Sequence, residues 1–235
     1  MILASPAFAA ERTLVVAHDC TWPPMEFVDS NKNLVGYSID YIDAIAKETG
    51  VTVEHKNVAW DGIFAALAAG KCDVIASSVS ITKERRKTMD FSTAYAEVKQ
   101  AVIVRKEAPY AAEADLKGKS IGAQISTTGY FAARKIPGSK PKSYNTVGLA
   151  IEDLDNGRLD AVICDNPVAA DYALKKANYA AKLKIAFIIK EAPTEEYGFA
   201  VKKGNKAVLD ILNKGIAAVK DKGIEAALKK KWMGE

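Results

Sequence analysis

Apolar residues follow strand-like and helix-like spacing in turn along the first eighty positions. The segment TLVVAHD (13–19) is short and mostly apolar, which is typical of a strand. The next segment, SIDYIDAIAKETG, has apolar residues at helical spacing, with Ser38 placed to cap its start and Gly50 just past its end. Two further strands, VTVEHKNV and CDVIASS, flank a helix, DGIFAALAAG, which we expect Asp61 to cap and Gly70 to end. This β-α-β-α-β order predicts a parallel sheet covered by helices.

The second half of the chain repeats this arrangement. A strand (KSIGAQ), a turn that enters a helix (STTGYFAARK), a helix (TVGLAIEDLDNG) and a strand (LDAVICD) follow one another. When residues 67–76 are aligned with residues 154–163, Leu, Gly, a cation and Asp recur in step, which indicates two α/β lobes of like design. In this register Ser78 lies opposite Asp165. Both come just after a parallel strand, where open α/β sheets bind ligands.

Two strand-like segments connect the predicted lobes. AYAEVKQAVIV (94–104) and EEYGFAVKKG (195–204) have β-branched or aromatic patterns, and two crossings suit a hinge. We therefore expect a two-lobe α/β fold, in which each lobe is a parallel-rich sheet flanked by helices and two strands form the hinge. The expected boundaries are 11–96 plus 194–235 for lobe 1, 97–193 for lobe 2, and 95–100 and 189–195 for the hinge.

The composition excludes several classes of function. The 235 residues include 33 basic and 29 acidic ones, well mixed, and the net charge of +4 is too small and dispersed to predict nucleic-acid binding. No run of 18 apolar residues exists, so no membrane span is expected. The odd number of cysteines (Cys20, Cys72 and Cys164) leaves at least one thiol unpaired, and their spacing matches no zinc pattern. We expect buried thiols, no metal site and no cofactor, and the sequence leaves open whether two of the cysteines pair.

The first ten residues, MILASPAFAA, differ from the rest of the chain. They are apolar and small, and Ala7-Phe8-Ala9 fits an A-x-A cleavage site, although a charged n-region is missing. We interpret residues 1–10 as the remnant of a secretory signal, and the alternative is a frayed N-terminus. Export would place the mature chain outside the cytoplasm.

The segment SSVSITKERRK (77–87) carries a candidate anion-binding residue. Ser78 and Ser80 are two apart and share a face of an extended segment. Thr82 could cap a short helix, KERRK, and Arg85, one turn in, could point back toward the serine hydroxyls. A guanidinium fits a carboxylate with two parallel hydrogen bonds. The alternative is that Arg85 belongs to a solvated charged helix face.

Other residues complete a receptor for a zwitterion. Trp22 precedes two prolines in a rigid loop after a strand, and we expect Trp60 to end another strand. Two tryptophans at strand ends of one sheet could form facing aromatic walls, although core packing explains Trp60 equally well. The segment Gln124–Gly129 offers backbone N–H groups at a helix N-terminus, which suit an anion. Asp165 offers a carboxylate for an ammonium group.

Four segments resemble a known family. VVAHDCTWPPMEF, GYSIDYIDAIAKETG, VIASSVSITKERRKTMDFS and GRLDAVICDNP look like the polar amino acid family (family 3) of bacterial solute-binding proteins, which serve ABC importers. The resemblance runs from about residue 12 to the C-terminus and implies the type II periplasmic-binding-protein fold. It implies roles for the following residues: Arg85, Ser80, Thr127 and Thr128 for the ligand carboxylate, Asp165 and Ser78 for its amine, and Asp19, Trp22, Trp60, Ser77 and Gln124 for its side chain. One departure is Ser126, where a glycine is common in the family.

The resemblance implies a periplasmic, monomeric binding protein that delivers an amino acid to the permease of an ABC importer. Asp19 and two tryptophans favour a cationic or strongly polar side chain, with arginine, lysine and ornithine first and histidine and glutamine next. Glu26 lies near the same loop but could equally be on the surface. The alternatives are an enzyme such as a cyclohexadienyl dehydratase, for which His18 and His55 are poorly placed, and a sensor module for a kinase.

Overall fold

The computed structural model describes residues 13–190 and 192–234. The signal remnant predicted at residues 1–10 lies outside them. The strands are β1 (Thr13–His18), β2 (Thr21–Trp22), β3 (Glu26–Val28), β4 (Leu34–Val35), β5 (Thr52–Asn57), β6 (Val74–Ile75), β7 (Met89–Phe91), β8 (Ala96–Val98), β9 (Gln100–Arg105), β10 (Ser120–Gln124), β11 (Lys140–Tyr144), β12 (Ala161–Asp165), β13 (Leu183–Ile188), β14 (Glu195–Tyr197) and β15 (Ala200–Lys202). The α-helices are α1 (Tyr37–Thr49), α2 (Trp60–Ala68), α3 (Arg85–Thr88), α4 (Thr128–Lys135), α5 (Val147–Asp155), α6 (Asn166–Ala170), α7 (Ala177–Ala180), α8 (Lys206–Asp221) and α9 (Ile224–Met233).

Two five-stranded sheets organise the chain into two α/β lobes. The first sheet has the order β5-β1-β6-β15-β7, and the second has the order β11-β10-β12-β9-β13. In each sheet the first three strands in this order are parallel, and the fourth runs antiparallel to them: β15, which comes late in the chain, in the first sheet, and β9, which precedes the other strands of its sheet in the chain, in the second. Helices α1 and α2 pack on the first sheet, α4 and α5 on the second, and α8 and α9 return to α1. The predicted two-lobe α/β class is confirmed.

The sequence repeat corresponds to one structural unit that occurs in both lobes. Asp73 and Asp160 occupy matching positions before β6 and β12. The carboxylate of Asp73 accepts the backbone N–H of Val15 at 2.9 Å, and that of Asp160 accepts the N–H of Ser120 at 2.9 Å. Each aspartate therefore bonds to the backbone of the neighbouring parallel strand, Asp73 to β1 and Asp160 to β10.

Two of the predicted helix caps are wrong. Gly36, not Ser38, precedes α1, and the first helical N–H groups donate to the carbonyls of Pro24 and Met25. Ser38 is buried inside the helix, where its hydroxyl lies 3.0 Å from that of Tyr95. At the other end Gly50 closes the helix with a left-handed φ of 71°, as predicted.

The second wrong cap is at α2. This helix begins at Trp60 after Ala59, so Asp61 lies in its first turn and caps nothing. The cap position therefore lies two residues before the predicted one, and the first helical residue is Trp60, whose side chain is 6% exposed.

Two paired strands connect the sheets. The chain leaves the first sheet after β7, passes through β8 and enters the second sheet at β9, and it returns through β14 to β15. Strands β8 and β14 are antiparallel partners, with Glu195 opposite Val98 and Tyr197 opposite Ala96. The two crossings therefore form one hydrogen-bonded ribbon.

The three cysteines lie in the interior of the protein. All three thiols are free and buried. Burial raises the pKa of Cys20 to about 12 and that of Cys72 to about 11, so both remain protonated at neutral pH. None of the helices within the described residues is long and apolar enough to cross a membrane.

Candidate ligand-binding site

All eleven residues predicted for the site line a single cavity. It spans about 300 Å³ of space free of atoms, part of which is open to solvent, and is lined by Asp19, Trp22, Glu26, Trp60, Ser77, Ser78, Ser80, Arg85, Gln124, Thr127, Thr128 and Asp165. The strand ends explain the convergence. Asp19 follows β1 and Ser77 follows β6 in the first sheet, whereas Gln124 ends β10 and Asp165 ends β12 in the second. The carboxyl ends of parallel strands from both lobes thus face one space.

Arg85 is the cation directed at this space. Its N–H donates to the Thr82 hydroxyl at 3.1 Å, so Thr82 holds the start of the short helix α3. Its guanidinium donates to the carbonyl oxygens of Ser80 at 2.9 Å and Ser126 at 3.2 Å. The same group lies 5.6 Å from the ring centre of Trp60. The neighbouring charged residues Lys83, Glu84, Arg86 and Lys87 are all exposed.

The N-terminus of α4 faces the same space. The Thr127 hydroxyl accepts the N–H of Tyr130 at 3.2 Å and caps this eight-residue helix. Ser126 adopts the left-handed φ of 58°. The serine therefore takes the conformation that a glycine would favour there, at a steric cost. A Cβ on Gly129 would approach the carbonyl oxygen of Ile163 to 2.8 Å, so only glycine lets this helix pack so closely on β12.

Asp165 is a buried acid with two donors. Gln100 Nε2 donates to one carboxylate oxygen at 2.5 Å, and the Tyr197 hydroxyl donates to the other at 2.5 Å. Burial and the nearby charge of Glu195 raise the pKa of Asp165 to about 7, against the opposing effect of these hydrogen bonds and of Arg85. A cation placed beside Asp165 would favour its ionised form.

Asp19 bridges the lobes. Its carboxylate accepts from Gln124 Nε2 at 2.7 Å and from the Thr21 hydroxyl at 3.0 Å, and burial raises its pKa. A second bridge runs from Trp60 Nε1 to the carbonyl oxygen of Ile125, at 2.8 Å. Side chains of the first lobe therefore bond directly to the second lobe at the cavity.

The two tryptophans are arranged differently from the prediction. Both are buried and line the cavity, but they do not end strands of one sheet. Trp22 lies in the small three-stranded sheet β2-β3-β4, and Trp60 begins α2. The ring that contacts Trp60 is Phe64, edge-on at 4.9 Å between ring centres.

The sequence left the position of Glu26 open and did not reveal two residues that adjoin the site, Gln100 and Glu195. Glu26 is not on the surface: it is 0% exposed, one oxygen accepts from the Ser78 hydroxyl at 3.0 Å, and the other has no hydrogen-bond partner in the described part of the chain. Burial raises the pKa of Glu26 well above its ordinary value. Gln100 and Glu195 come from the connecting strands, and Gln100 Nε2 lies 3.0 Å from Glu195 Oε1. The hairpin of β2 and β3 could have revealed Glu26, because it pairs Glu26 with Trp22.

The described residues contain no group of three or more His, Cys, Asp or Glu side chains that could hold a metal ion. The polar groups of the cavity are instead one guanidinium, a helix N-terminus, hydroxyls, and the three carboxyl groups of Asp19, Glu26 and Asp165. Such a set suits an organic ligand that carries both an anionic and a cationic group.

Comparison with known proteins identifies the family. The family model of bacterial extracellular solute-binding proteins, family 3, matches residues 14–235, and the chain belongs to this family. A probable histidine-binding protein of Neisseria gonorrhoeae is 35% identical over 94% of this chain and 82% of its own length. The ABC transporter arginine-binding protein 1 of Escherichia coli is 33% identical over 98% and 96%.

Solved structures agree with the fold. An arginine-, lysine- and histidine-binding protein from Geobacillus stearothermophilus superposes with a TM-score of 0.90 at 35% identity, over 95% of this chain and 96% of that one. An ancestral amino acid-binding protein, described as a precursor of cyclohexadienyl dehydratase, gives a TM-score of 0.85 at 34% identity over 94% and 95%. The type II fold expected from the sequence is therefore confirmed.

Proposed function

We propose that this protein binds a free L-amino acid with a cationic side chain and delivers it to an ABC importer. The observation that carries this is the arrangement of charge: one guanidinium and a helix N-terminus lie beside three buried carboxyl groups in one cavity. An amino acid presents one carboxylate and one ammonium. The acids left over after these are paired, Asp19 and Glu26, favour a second positive charge on the ligand.

We assign the groups of the ligand to the two lobes as follows. Arg85, Ser80, Thr127 and Thr128 bind the α-carboxylate; Asp165 and the carbonyl of Ser78 bind the α-amine; Asp19, Glu26, Trp22, Trp60, Ser77 and Gln124 surround the side chain. The burial of Glu26 and its unpaired oxygen support its addition to the set. Arginine, lysine and ornithine are the first candidates, and histidine and glutamine are the alternatives.

Delivery requires that the lobes move. We propose lobe 1 as 11–96 plus 194–235 and lobe 2 as 97–193, with the hinge near 95–100 and 189–195, which include β8 and the first residue of β14. The pairing of these strands and the return of α8 to α1 are consistent with that division. The closed form is favoured by contacts that only it makes, and exclusion of water strengthens the charged ones. We further propose a monomer that works in the periplasm.

The first test is a thermal-shift panel of the twenty amino acids plus ornithine and citrulline, on protein that has been unfolded and refolded to remove bound ligand. A ligand at about a thousand times its Kd stabilises the protein by roughly 4 kcal/mol. For a chain of this size, that raises the Tm by about 8–16 °C. We expect this rise with arginine, lysine or ornithine, and a smaller rise with citrulline, which is polar but uncharged. No rise with any amino acid would refute the proposal.

Affinity should depend on pH in a defined direction. Because the pKa of Asp165 is about 7 without ligand, protons compete with the ligand amine below that pH. We expect Kd to rise about tenfold or more from pH 7.5 to pH 5.5, with proton release on binding at pH 6.5. Calorimetry in two buffers of different ionisation enthalpy measures both. Equal heats in the two buffers and a constant Kd would contradict the assignment of Asp165.

The stability of the protein without ligand should show the opposite trend. A pKa raised on folding means that the folded state holds the extra proton, so this contribution to stability is lost as pH rises from about 4 to about 7.

Catalysis is the second candidate function, because one structural neighbour is described as the precursor of a dehydratase. Release of the amino acid unchanged after prolonged incubation, checked by mass spectrometry, would support binding alone.

A further inference from the structure

Glu195 links the connecting strands to both halves of the binding site. It is the first residue of β14, and its two carboxylate oxygens have different partners. Oε2 accepts a hydrogen bond from the hydroxyl of Ser80 at 2.6 Å, and Oε1 accepts one from Nε2 of Gln100, at the start of β9, at 3.0 Å. Ser80 and Gln100 are both buried. None of the ligand contacts proposed above uses Glu195.

Glu195 takes a hydrogen that a ligand carboxylate could use. A serine hydroxyl has one hydrogen, and that of Ser80 is bonded to Glu195. The carbonyl oxygen of Ser80 accepts from the guanidinium of Arg85 at 2.9 Å, so Ser80 lies beside the group assigned to the same carboxylate. While Glu195 holds the hydroxyl, Ser80 can donate to the ligand only through its backbone N–H.

Glu195 also shares the amide that holds the partner of the ligand amine. Nε2 of Gln100 carries two hydrogens but lies within bonding distance of three oxygens. These are Asp165 Oδ1 at 2.5 Å, Glu195 Oε1 at 3.0 Å and Thr128 Oγ1 at 3.2 Å. The other end of the amide, Oε1, has no hydrogen-bond partner in the described part of the chain. Without Glu195, both hydrogens would remain for Asp165 and Thr128.

The negative charge of Glu195 acts in the same direction. The groups that face Asp165 are Glu26 on β3, Gln100 on β9, Cys164 on β12, Glu195 and Tyr197 on β14, and Arg85 on α3. Burial and the charge of Glu195 raise the pKa of Asp165, and Arg85 opposes them. Burial lowers the pKa of Arg85, and Glu195 is the nearby charge that raises it most. Glu195 therefore favours a protonated Asp165 and offsets part of the attraction of Arg85 for a ligand carboxylate.

We propose that Glu195 limits the affinity of the site, because it competes with the ligand for Ser80, Gln100 and Arg85. This rests on the proposed function. A protein that delivers its ligand must also release it, and a carboxylate that takes over the donors as the ligand leaves makes that release easier. Removal of Glu195 should therefore tighten binding, whereas removal of a residue that only supports the fold would weaken it.

The variant E195Q tests the sign of this effect. Its amide can accept from Gln100 and donate to the hydroxyl oxygen of Ser80, which leaves the serine hydrogen for the ligand carboxylate. We expect Kd for the best ligand of the panel to fall about tenfold at pH 8, as measured by titration calorimetry, because one hydrogen bond to a charged group is gained. In the S80A background most of this gain should disappear, since the freed hydroxyl is then absent.

A second measurement needs no ligand. Carbon-13 spectra of the ligand-free protein report the titration of the Asp165 carboxyl group, which D165N assigns. In E195Q this titration should lie about one pH unit lower, because a neighbouring like charge has been removed. The acid fall in amino acid affinity should move in the same direction.

E196Q is the matched control. Glu196 follows Glu195 on the same strand and carries the same charge, but its side chain is exposed. E196Q should leave Kd within about twofold. Binding that is equal or weaker in E195Q overturns the proposal, and so does an unchanged titration of Asp165. If the proposed function fails instead, no variant binds an amino acid, while the titration still decides whether Glu195 acts on Asp165.

Discussion

Replacing Asp165 with asparagine should weaken binding of a cationic amino acid by about thirtyfold to about five-thousandfold. The ligand amine would lose its counter-ion inside a closed cleft, and such losses cost roughly 2–5 kcal/mol. The asparagine keeps the shape of the side chain and can still bond to Gln100 and Tyr197. Because it removes a carboxylate that is costly to bury, the Tm without ligand should not fall.

Two comparisons sharpen this prediction. D19N should cost less than D165N, because in the proposed assignment Asp19 contacts only the side chain of the ligand, whereas Asp165 is the counter-ion of its amine. D171N removes a charge of the same lobe that pairs with Lys176, outside the cavity, and should leave Kd within twofold. Titration calorimetry measures all three. An unchanged Kd in D165N would exclude Asp165 as the amine partner.

Replacing Arg85 with alanine should reduce affinity by about a thousandfold or more for every amino acid, whatever its side chain. The ligand carboxylate would face only hydroxyls and the N-terminus of α4 in a dry site. R85K keeps the charge but not the planar pair of donors, so we expect a loss of about ten- to a hundredfold.

The adjacent residue provides a matched control for Arg85. Arg86 has the same chemistry but is exposed, and its guanidinium lies 5.9 Å from the ring centre of Phe91. R86A should leave Kd within twofold, as measured by calorimetry on the best ligand from the panel. If R85A and R86A weaken binding equally, the effect is one of general charge, and Arg85 has no directed role.

The sequence was informative where chemistry follows the ends of regular strands. Parallel strands place Asp19, Ser77, Gln124 and Asp165 at one edge of each sheet, so a correct strand assignment was enough to bring them together. The aspartates of the internal repeat follow the same regular geometry, since each bonds to the backbone of a neighbouring parallel strand. Arg85 followed from its helical offset after Thr82.

The failures arise where packing between distant segments overrides local preference. Ser38 has the chemistry of a cap, but carbonyls of the loop before α1 accept the first N–H groups of that helix instead. The sequence left Glu26 open between the site and the surface, because short hairpins leave only a weak pattern. Gln100 and Glu195 lie on connecting strands, and their direction depends on how the two lobes meet. The periodicity within a single segment does not indicate how the two lobes pack against each other.

The ribbon of β8 and β14 also limits how the two lobes can differ in arrangement. A single tether would allow rotation about any axis, whereas two antiparallel strands, bonded along three residue pairs, resist shear and separation and leave little more than bending. In the closure proposed above, the motion would then have close to one degree of freedom, and a ligand of a given length would stop it at a given angle. The angle between the two lobes would therefore depend on the size of the bound molecule.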